Sequence, residues 1–329
     1  MQLGQFMTSV VQCYAKLETS MGAVSRLKAF RDNTPSEIMD ADNITPSPSW
    51  PSKGRVEVHG VSASYRTSES MPHNLALHEL NLTIEPGEKV AICGRSGSGK
   101  SSILLLLLRL LDPISSSAQN ITIDDVPLHQ VNRSILRQRI VAIPQDVIFL
   151  PDSTSFKENL DPFGLCSEDE CRSILQDLDL WSLVQKQGDL QTGLTPTNLS
   201  QGQKQLFSIA RAVLRRRVRS RQQAETGLHT TVCKSGVRDD SGGGILLLDE
   251  VSSSVDLQTE RTLWRIIHRE FAGYTIIMIS HRLEVVLDFD RVLVMDSGLL
   301  VEDGNPKELA RMDNSRFREL LVAASQDGI

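Results

Sequence analysis

A glycine-rich segment of the chain has the residue types and spacing of a phosphate-binding loop. Residues Gly94–Ser101 read GRSGSGKS and fit the pattern GxxxxGK[ST]. Glycines let the backbone wrap around phosphates with its N–H groups pointing inward, and the N-terminus of a following helix adds partial positive charge. In this pattern Lys100 reaches the β- and γ-phosphates, and the hydroxyl of Ser101 ligates Mg²⁺. The segment therefore predicts binding of a nucleotide's phosphate chain.

Two acidic residues further along the chain supply the second half of such a site. Asp249 and Glu250 follow the apolar run Ile245–Leu248, which is typical of a buried strand. That strand would deliver Asp249 to the Mg²⁺ shell and place Glu250 to polarise an attacking water as general base. Strand ends are often polar, so the acids alone say little, but together with the loop at Lys100 they predict phosphate hydrolysis.

The elements around the glycine loop follow the order that such a loop requires. Lys89–Cys93 is predicted as a short apolar strand, and Ser101–Leu111 as a leucine-rich helix buried on all sides. A strand, a glycine loop and a helix in succession begin an α/β unit. Further strands are predicted at Val56–Val61, Leu80–Ile84, Ile121–Asp124 and Ile140–Ile143, and further helices at Glu168–Gln187 and Ser200–Arg217.

The sequence at this point resembles the ATP-binding-cassette proteins. Residues Asn198–Gln203 read NLSQGQ and look like the family's signature motif, usually LSGGQ. Gln201 stands where many members have glycine, whereas Ser200, Gly202 and Gln203 match. The other motifs are also present: Tyr65 resembles the adenine-stacking aromatic, Gln145 the Q-loop glutamine, Ser253–Asp256 the D-loop, and His281 the switch histidine.

The resemblance implies an ATPase that binds ATP and Mg²⁺, and it assigns roles to the matching positions. The catalytic positions are Lys100, Gln145, Glu250 and His281, and the metal-binding positions are Ser101, Gln145 and Asp249. The nucleotide-binding positions are Tyr65, Gly94, Ser96, Gly97, Ser98, Gly99, Lys100, Ser101, Ser102, Ser200, Gly202, Gln203 and Asp256. In the family the signature loop completes the site of a second domain in trans, and Asp256 would connect to the opposing subunit.

Three of these residues also have plainer interpretations when each is considered alone. Tyr65 could be an ordinary strand tyrosine, Gln145 a lone glutamine after a proline, and His281 a hydrogen-bonded core histidine. As family residues, Tyr65 would stack on adenine, and Gln145 would touch Mg²⁺ or the water where the helical subdomain joins. His281 would hydrogen-bond the γ-phosphate and orient Glu250.

The fold class implied by the resemblance is α/β: a P-loop NTPase with a RecA-like core, an antiparallel β-subdomain and a helical subdomain. The cassette is expected at residues 54–322, with the helical subdomain at about 146–205. An insertion is expected at about 218–244, because this segment greatly exceeds the roughly 2–6 residues of an ordinary helix–strand loop. The arginines Arg215–Arg221 are expected to form a solvated helix end, or alternatively to contact phosphate, lipid head groups or an acidic partner.

Two stretches resemble one branch of the family more closely. Asn159–Phe163 reads NLDPF and resembles the C-terminal cassette of multidrug-resistance-associated, C-subfamily exporters. Leu17–Leu27 resembles the stretch that leaves the last transmembrane helix of those exporters. The insertion is similar to those of fungal members.

The segment before the cassette is expected to have two parts. Residues 1–30 are predicted as an amphipathic helix, because apolar positions recur at steps of three and four from Val10 to Phe30. This helix either packs on its own domain or is an attachment helix that resembles the exit of the last transmembrane segment. Residues 31–53 hold four prolines and are predicted as a linker or extended arm without core residues.

Composition excludes several other classes of protein. The chain has 329 residues and a formal net charge of −6, from 35 Lys and Arg against 41 Asp and Glu, so no bulk basic surface for nucleic acid is expected. The five cysteines are scattered and are interpreted as reduced thiols in a cytosolic compartment. No apolar run approaches the about 20 residues of a membrane span, and the first residues lack the features of a signal peptide.

The expected function is that of an exporter's nucleotide-binding domain, which hydrolyses MgATP to drive transport. Its expected partners are a second cassette and transmembrane domains, which would hold it at the cytosolic face of a membrane. Two alternatives remain: an ATP-dependent regulatory module, and a truncated transporter fragment, since Met1 lies inside the stretch that resembles a transmembrane exit. A soluble cassette ATPase of translation or chromosome maintenance would need tandem cassettes or a long coiled coil, which this sequence lacks.

Overall fold

The structure, a computed structural model, describes most of the chain. The described residues are 2–34, 44–65, 75–114, 118–151, 153–225, 243–251 and 255–327. Two compact units are present, Met1–Asp42 and Asn43–Ile329. Most of the predicted insertion, part of the predicted linker, and Ser253 and Ser254 of the predicted D-loop lie outside the described residues.

The second unit holds the strands and most of the helices. The strands are β1 (Val56–Ser64), β2 (Leu75–Ile84), β3 (Lys89–Gly94), β4 (Ile121–Ile123), β5 (Val126–Pro127), β6 (Val141–Ile143), β7 (Ile245–Asp249), β8 (Thr275–Ile279), β9 (Arg291–Asp296) and β10 (Leu299–Gly304). The helices are α1 (Gln2–Asn33) in the first unit, and α2 (Lys100–Leu107), α3 (Arg133–Arg139), α4 (Phe156–Leu160), α5 (Glu168–Asp177), α6 (Trp181–Gln187), α7 (Gln201–Glu225), α8 (Leu257–Glu270), α9 (Leu283–Val286), α10 (Pro306–Leu309) and α11 (Arg316–Asp327) in the second.

The main sheet within the described residues has the order β10-β9-β3-β8-β7-β6. β3 pairs in parallel with β8 and β9, and β7 pairs in parallel with β6 and β8, while β10 is an antiparallel edge strand. The aliphatic side chains of β7 and β8 are buried throughout, as is typical of parallel strands covered on both faces. This sheet forms the predicted α/β core.

A smaller antiparallel sheet packs beside the core in the order β2-β1-β4-β5. Its buried side chains include Val56, Leu82, Ile84 and Ile123, which share one hydrophobic cluster with Val90 of the main sheet. The predicted antiparallel β-subdomain is therefore confirmed. A second cluster joins the other face of the main sheet to helices α4–α8. Helices α4–α6 lie within the range of about 146–205 predicted for the helical subdomain, α7 begins in that range, and α8 lies beyond it.

The helix that follows the glycine loop is shorter and less enclosed than predicted. α2 ends at Leu107, and Arg109 then adopts a φ of 51°, which a right-handed helix does not accommodate. Leu110 is exposed, and Leu105 and Leu108 are only partly buried. The prediction of a helix buried on all sides to Leu111 is therefore wrong.

The predicted helix Glu168–Gln187 is divided into α5 and α6. Asp179 adopts a φ of 59° between them and ends the first helix. Ser167 begins α5 with a capping box, in which its hydroxyl accepts from the Glu170 N–H and the Glu170 carboxylate accepts from the Ser167 N–H. Side-chain periodicity alone did not reveal the break, because the apolar spacing continues across it.

Helix α7 runs past Arg217 to Glu225, and so enters the predicted insertion. Its arginines make contacts within the cassette: Arg216 and Arg217 pair with Glu270, Arg221 pairs with Glu170, and Arg215 and Arg219 donate to backbone carbonyls of Arg137 and Arg139. Burial lowers the pKa of both Arg215 and Arg219. The helix does not end at these arginines, and Arg216, Arg217 and Arg219 are partly buried, so the prediction of a solvated helix end is wrong for them, whereas Arg215 and Arg221 are exposed.

Residues 44–53 pack onto the cassette. Trp50 is only 4% exposed, and its indole N–H donates to the carbonyl of Ile123 at 2.8 Å. The carboxylate of Asp124 accepts from the backbone N–H groups of Ser52 and Lys53 at 2.7 and 2.9 Å. The prediction that this stretch contributes no core residue is wrong, because the prolines shape an extended segment that inserts a tryptophan.

The first unit is the helix α1, which is longer than the predicted helical pattern. It carries exposed apolar side chains along much of its length, among them Val10, Tyr14, Leu17, Met21, Val24, Leu27 and Phe30. No helix within the described part of the chain is both long and apolar enough to cross a membrane.

Candidate nucleotide site

The candidate site lies where the parallel strands of the main sheet end. β3 leads into the glycine loop, β7 ends at Asp249, and β8 ends at Ile279, directly opposite Asp249 in the register. β6 ends at Ile143, two residues before Gln145. Because carboxyl ends of parallel strands share one edge of a sheet, residues from distant parts of the sequence converge there.

The glycine loop is held by close backbone contacts on two sides. A Cβ at Gly94 would lie 2.2 Å from the carbonyl oxygen of Met295, and a Cβ at Gly99 would lie 2.7 Å from that of Ala76. Both glycines have positive φ, 147° and 99°. Behind the loop, the N–H of Gly298 donates to the carbonyl of Ser98 at 3.0 Å. The loop is therefore shaped by its neighbours.

The predicted phosphate-binding residues occupy the loop and the first turn of α2. Lys100 is 6% exposed, and its ammonium donates to the carbonyls of Gly94 and Arg95, each at 3.0 Å. Burial lowers the pKa of Lys100, against the opposing effect of the charges on Glu250 and Asp249. Ser96, Gly97 and Ser101 are exposed, whereas Ser98 and Ser102 are buried.

A buried carboxylate oxygen of Asp249 fits a divalent cation, and the phosphate loop holds a second buried oxygen, that of Ser98. Oδ1 of Asp249 and Oγ of Ser98 are buried without a hydrogen-bond partner among the residues that the structure describes. Burial and the neighbouring Glu250 raise the pKa of Asp249, while Lys100 and His281 oppose that change. The described residues contain no cluster of three or more His, Cys, Asp or Glu. A site with few protein oxygen ligands suits Mg²⁺, because this ion usually takes its remaining ligands from phosphate groups and water.

Glu250 is held from two sides. Its Oε1 lies 2.8 Å from Nε2 of His281, and its Oε2 accepts from Nε2 of Gln145 at 3.1 Å. The backbone of Glu250 has a φ of 50°, and its N–H donates to the carbonyl of Ile279 at 3.1 Å. A left-handed non-glycine residue costs on the order of 1–3 kcal/mol and is concentrated at functional sites. The geometry fixes one carboxylate between two predicted catalytic side chains.

Gln145 is in turn held by a residue that sequence analysis missed. Nε2 of Gln205, on helix α7, donates to the carbonyl of Gln145 at 2.8 Å. The sequence signal that could have identified Gln205 is its place among the buried apolar positions of α7, because a polar side chain at such a position needs a hydrogen-bond partner.

Tyr65 lies beside the start of α2. Its hydroxyl is 3.1 Å from Oγ of Ser102, and the side chain is 52% exposed. The ring of Tyr65 is therefore exposed and anchored at its tip next to the phosphate loop.

The signature residues lie in a separate cluster. Ser200 and Gln203 form reciprocal bonds at the start of α7: the Gln203 N–H donates to the Ser200 hydroxyl, and the Gln203 side-chain oxygen accepts from the Ser200 N–H. A Cβ at Gly202 would lie 3.5 Å from Cγ2 of Thr259 and 3.6 Å from Cγ1 of Val255.

Asp256, which follows Val255, is the N-cap of α8. Its carboxylate accepts from the N–H groups of Gln258 and Thr259 and from the Thr259 hydroxyl. These hydrogen bonds lower the pKa of Asp256. The structure therefore brings the signature residue Gly202 close to Val255 and Thr259, on either side of Asp256, within the described part of the predicted D-loop and the start of α8.

The fold and this arrangement define a P-loop NTPase of the ATP-binding-cassette type. A family model described as "ABC transporter" matches residues 77–218. The chain is 49% identical, over 97% of its length, to ABC transporter FGM5 of Gibberella zeae, and 46% identical, over 97%, to ABC-type transporter braE of Annulohypoxylon truncatum. It is similar in structure to a bacterial Atm1-family ABC exporter with ATP bound, with a TM-score of 0.71 and 25% identity over 93% of this chain and 48% of that one.

The chain is an ABC-transporter nucleotide-binding domain, homologous to fungal ABC transporters. It spans 21% and 22% of the lengths of the two fungal relatives.

Proposed function

We propose that this chain binds MgATP and hydrolyses it as the nucleotide-binding domain of an ABC exporter. The observation that carries the proposal is the placement of Glu250, 2.8 Å from His281 and 3.1 Å from Gln145, at the sheet edge that bears the Lys100 loop. A carboxylate oriented by two side chains is the arrangement required of a general base for water. The similarity to an exporter with ATP bound supports the nucleotide assignment.

Each side chain of the site has a defined task in this proposal. Lys100 and the loop N–H groups offset the charge of the β- and γ-phosphates, and Ser101, Asp249 and Gln145 would hold Mg²⁺. The chemistry that Mg²⁺ would supply when bound is neutralisation of the charge that develops on the phosphate oxygens. Glu250 orients the attacking water and accepts its proton, while His281 steadies the carboxylate.

The cluster of signature residues acts on a different nucleotide. We infer that Ser200, Gly202 and Gln203 complete the site of a second cassette, and that Asp256 connects to it. The exposed position of Ser200 at the N-terminus of α7 supports this role, because helix N-termini favour anions. Closure of the two cassettes around ATP would rearrange the membrane helices of the transporter.

The remaining assignments concern the whole transporter. We propose that residues 54–322 form the cassette, with a helical subdomain at about 146–205, and that α1 continues from the last transmembrane segment at the cytosolic face of a membrane. The exposed apolar side chains of α1 support an attachment role. The NLDPF stretch Asn159–Phe163 supports a C-subfamily exporter, and the fungal relatives support a fungal one.

The test is ATP turnover by the purified chain, compared with variants at the base and at the loop. Glu250→Gln keeps the shape of the side chain and removes its basicity, so ATP should stay bound and uncleaved, and light scattering should detect a trapped dimer. Lys100→Ala should lose nucleotide binding. Glu284→Gln removes an exposed carboxylate on α9 and serves as the matched control.

The outcomes separate the assignments. Absence of Mg²⁺-dependent turnover in the unmodified chain would contradict the proposed activity. Undiminished turnover in Glu250→Gln would leave the activity in place and remove Glu250 as general base. Turnover that is lost in Glu250→Gln and retained in Glu284→Gln supports both the ATPase activity and the role of Glu250 as general base.

A further inference from the structure

We propose that Gln205 is a positioning residue for ATP hydrolysis, which holds Gln145 against Glu250 and ties both to the helix that carries the signature residues. The proposal rests on the function proposed above and adds a residue and a coupling to it. Gln205 touches neither nucleotide nor metal in this scheme and acts through Gln145.

The surroundings of Gln205 indicate a role beyond packing. The residue is 2% exposed, and its Nε2 donates to the Gln145 carbonyl at 2.8 Å. Its Oε1 is buried without a hydrogen-bond partner among the described residues. A buried acceptor without a partner destabilises a protein, so a leucine or methionine would suit this position better if packing were its only task. The hydrogen bond from the side-chain N–H of Gln205 to the Gln145 carbonyl accounts for a glutamine at this position.

That N–H group fixes the main chain of the residue that contacts the general base. The Gln145 carbonyl accepts from Gln205, while the Gln145 side chain donates to Oε2 of Glu250 at 3.1 Å. The loop that bears Gln145 is exposed, so its main chain has few other constraints at this residue. Fixing the carbonyl therefore limits the positions that the side-chain amide can reach.

Helix α7 holds the same segment at a second point. Arg211 donates to the carbonyl of Ile148, and its guanidinium lies 5.1 Å from the ring centroid of Phe149. Gln205 and Arg211 thus secure both ends of the segment from Gln145 to Phe149. Loss of the Gln205 contact should loosen Gln145 locally while Arg211 keeps the segment attached.

The same helix begins with the signature residues. Ser200 and Gln203 cap its N-terminus, two to five residues before Gln205, and Gly202 packs on Thr259. A displacement of this helix end changes the position of the Gln205 donor with it. The structure therefore connects the surface that meets an opposing nucleotide to the residue that orients this chain's own Glu250.

The test is the effect of Gln205→Met on ATP turnover, alone and together with Gln145→Ala. Methionine keeps length and volume but cannot donate. We expect kcat to fall about three- to tenfold, which corresponds to the net free energy of one hydrogen bond. KM for ATP should change less than about twofold. In the Gln145→Ala background the same substitution should change kcat less than about twofold, because the contact it breaks no longer serves Glu250.

The matched control is Leu206→Met, a packing change at the next residue of α7, which should leave kcat near that of the unmodified chain. A purely structural role for Gln205 would lower the thermal midpoint and reduce kcat equally in both backgrounds. Equal reduction in both backgrounds, or no reduction in either, would overturn the proposal.

A second variant covers the case in which Gln205→Met fails to fold. Gln205→Glu can donate to the Gln145 carbonyl only when its carboxyl is protonated, and burial favours that form. Its kcat deficit relative to the unmodified chain should therefore shrink as the pH is lowered. A deficit that is absent or constant across pH would contradict the donor role.

These results are distinguishable from a failure of the proposed function. If the unmodified chain does not hydrolyse ATP, or Glu250→Gln remains active, the function or its base is wrong. If the unmodified chain and Glu250→Gln behave as expected and the Gln205 variants do not, only the positioning role of Gln205 is wrong.

Discussion

Substitution of Gly298 by alanine should weaken nucleotide binding from behind the phosphate loop. Gly298 lies in the turn between β9 and β10 with a φ of 82°, and its N–H donates to the Ser98 carbonyl in the loop. A Cβ at this position would lie 2.7 Å from Cδ2 of His78 and 2.9 Å from the carbonyl oxygen of Ala76. The histidine can move, but the carbonyl belongs to β2 and cannot yield without disturbing the strand.

The magnitude follows from two contributions. A left-handed backbone costs an L-residue about 1–2 kcal/mol, and overpacking against fixed atoms adds roughly 1–3 kcal/mol. Gly60 isolates the first contribution, because its φ is 59° and a Cβ there meets nothing within 4 Å. Gly298→Ala should therefore be less stable than Gly60→Ala by about 1–3 kcal/mol, if the turn does not move.

Movement of the turn away from β2 would relieve the clash and break the bond to Ser98. The variant would then recover part of its stability. Its affinity for ATP should fall about tenfold, which corresponds to the upper end of the net free energy of one hydrogen bond. The assay is denaturant unfolding of both variants together with titration of a fluorescent ATP analogue. Equal stability and equal ATP affinity of Gly298→Ala and Gly60→Ala would refute the steric and hydrogen-bonding role assigned to Gly298.

Substitutions at three further residues test other parts of the site and its support. Tyr65→Ala should weaken ATP binding by about 1–3 kcal/mol in equilibrium titration, whereas Tyr65→Phe, which loses only the bond to Ser102, should stay within about threefold of the unmodified chain. Asp249→Asn should abolish Mg²⁺-dependent turnover but raise the thermal midpoint of the chain in EDTA. The pKa of Asp249 is raised in the folded state, so ionisation of this carboxyl group destabilises the fold as the pH rises. An unchanged midpoint at neutral pH would contradict this expectation. Glu270→Gln should cost about 3–5 kcal/mol in denaturant unfolding, because Arg216 and Arg217 lose the buried carboxylate that they share, although Arg217 keeps Asp177 at 4.0 Å. Burial raises the pKa of Glu270 but the arginines lower it on balance, so its contribution is present above the unfolded-state pKa and should disappear as pH falls through the folded-state value.

The phosphate loop and the acidic pair were predictable because their chemistry depends on short, contiguous patterns. The glycine loop that leads to Lys100 follows the end of β3, and the two acids lie at the end of β7. Both strands pair in parallel with β8, which brings these two ends to one edge of the sheet. The α/β fold followed from the same patterns. What the sequence could not provide was the orientation of Glu250, which depends on its φ of 50° and on contacts from Gln145 and His281.

Residues that act through distant contacts were predicted poorly. Gln205 is 60 residues from Gln145 in the chain, and no local pattern relates them. Trp50 was placed in a linker because its neighbours are prolines, although its partner Ile123 lies 73 residues away. For the arginines of α7, the charge run favours a solvated helix end or contact with an external anion, whereas acceptors such as Glu270 lie on other elements of the fold. In each case a polar bond across the fold decided the outcome.

The two hydrogen bonds of the Lys100 ammonium have a thermodynamic consequence. The carbonyls of Gly94 and Arg95 occupy two of the three N–H donors of this ammonium, so any contact with a phosphate chain beyond the third donor exchanges a carbonyl bond for a phosphate bond. The measured heat of association should accordingly reflect a difference between carbonyl and phosphate oxygens, as in a displacement reaction between two acceptors. The ammonium group is already dehydrated and confined before any ligand arrives, so its loss of water and of rotational freedom belongs to folding and not to association.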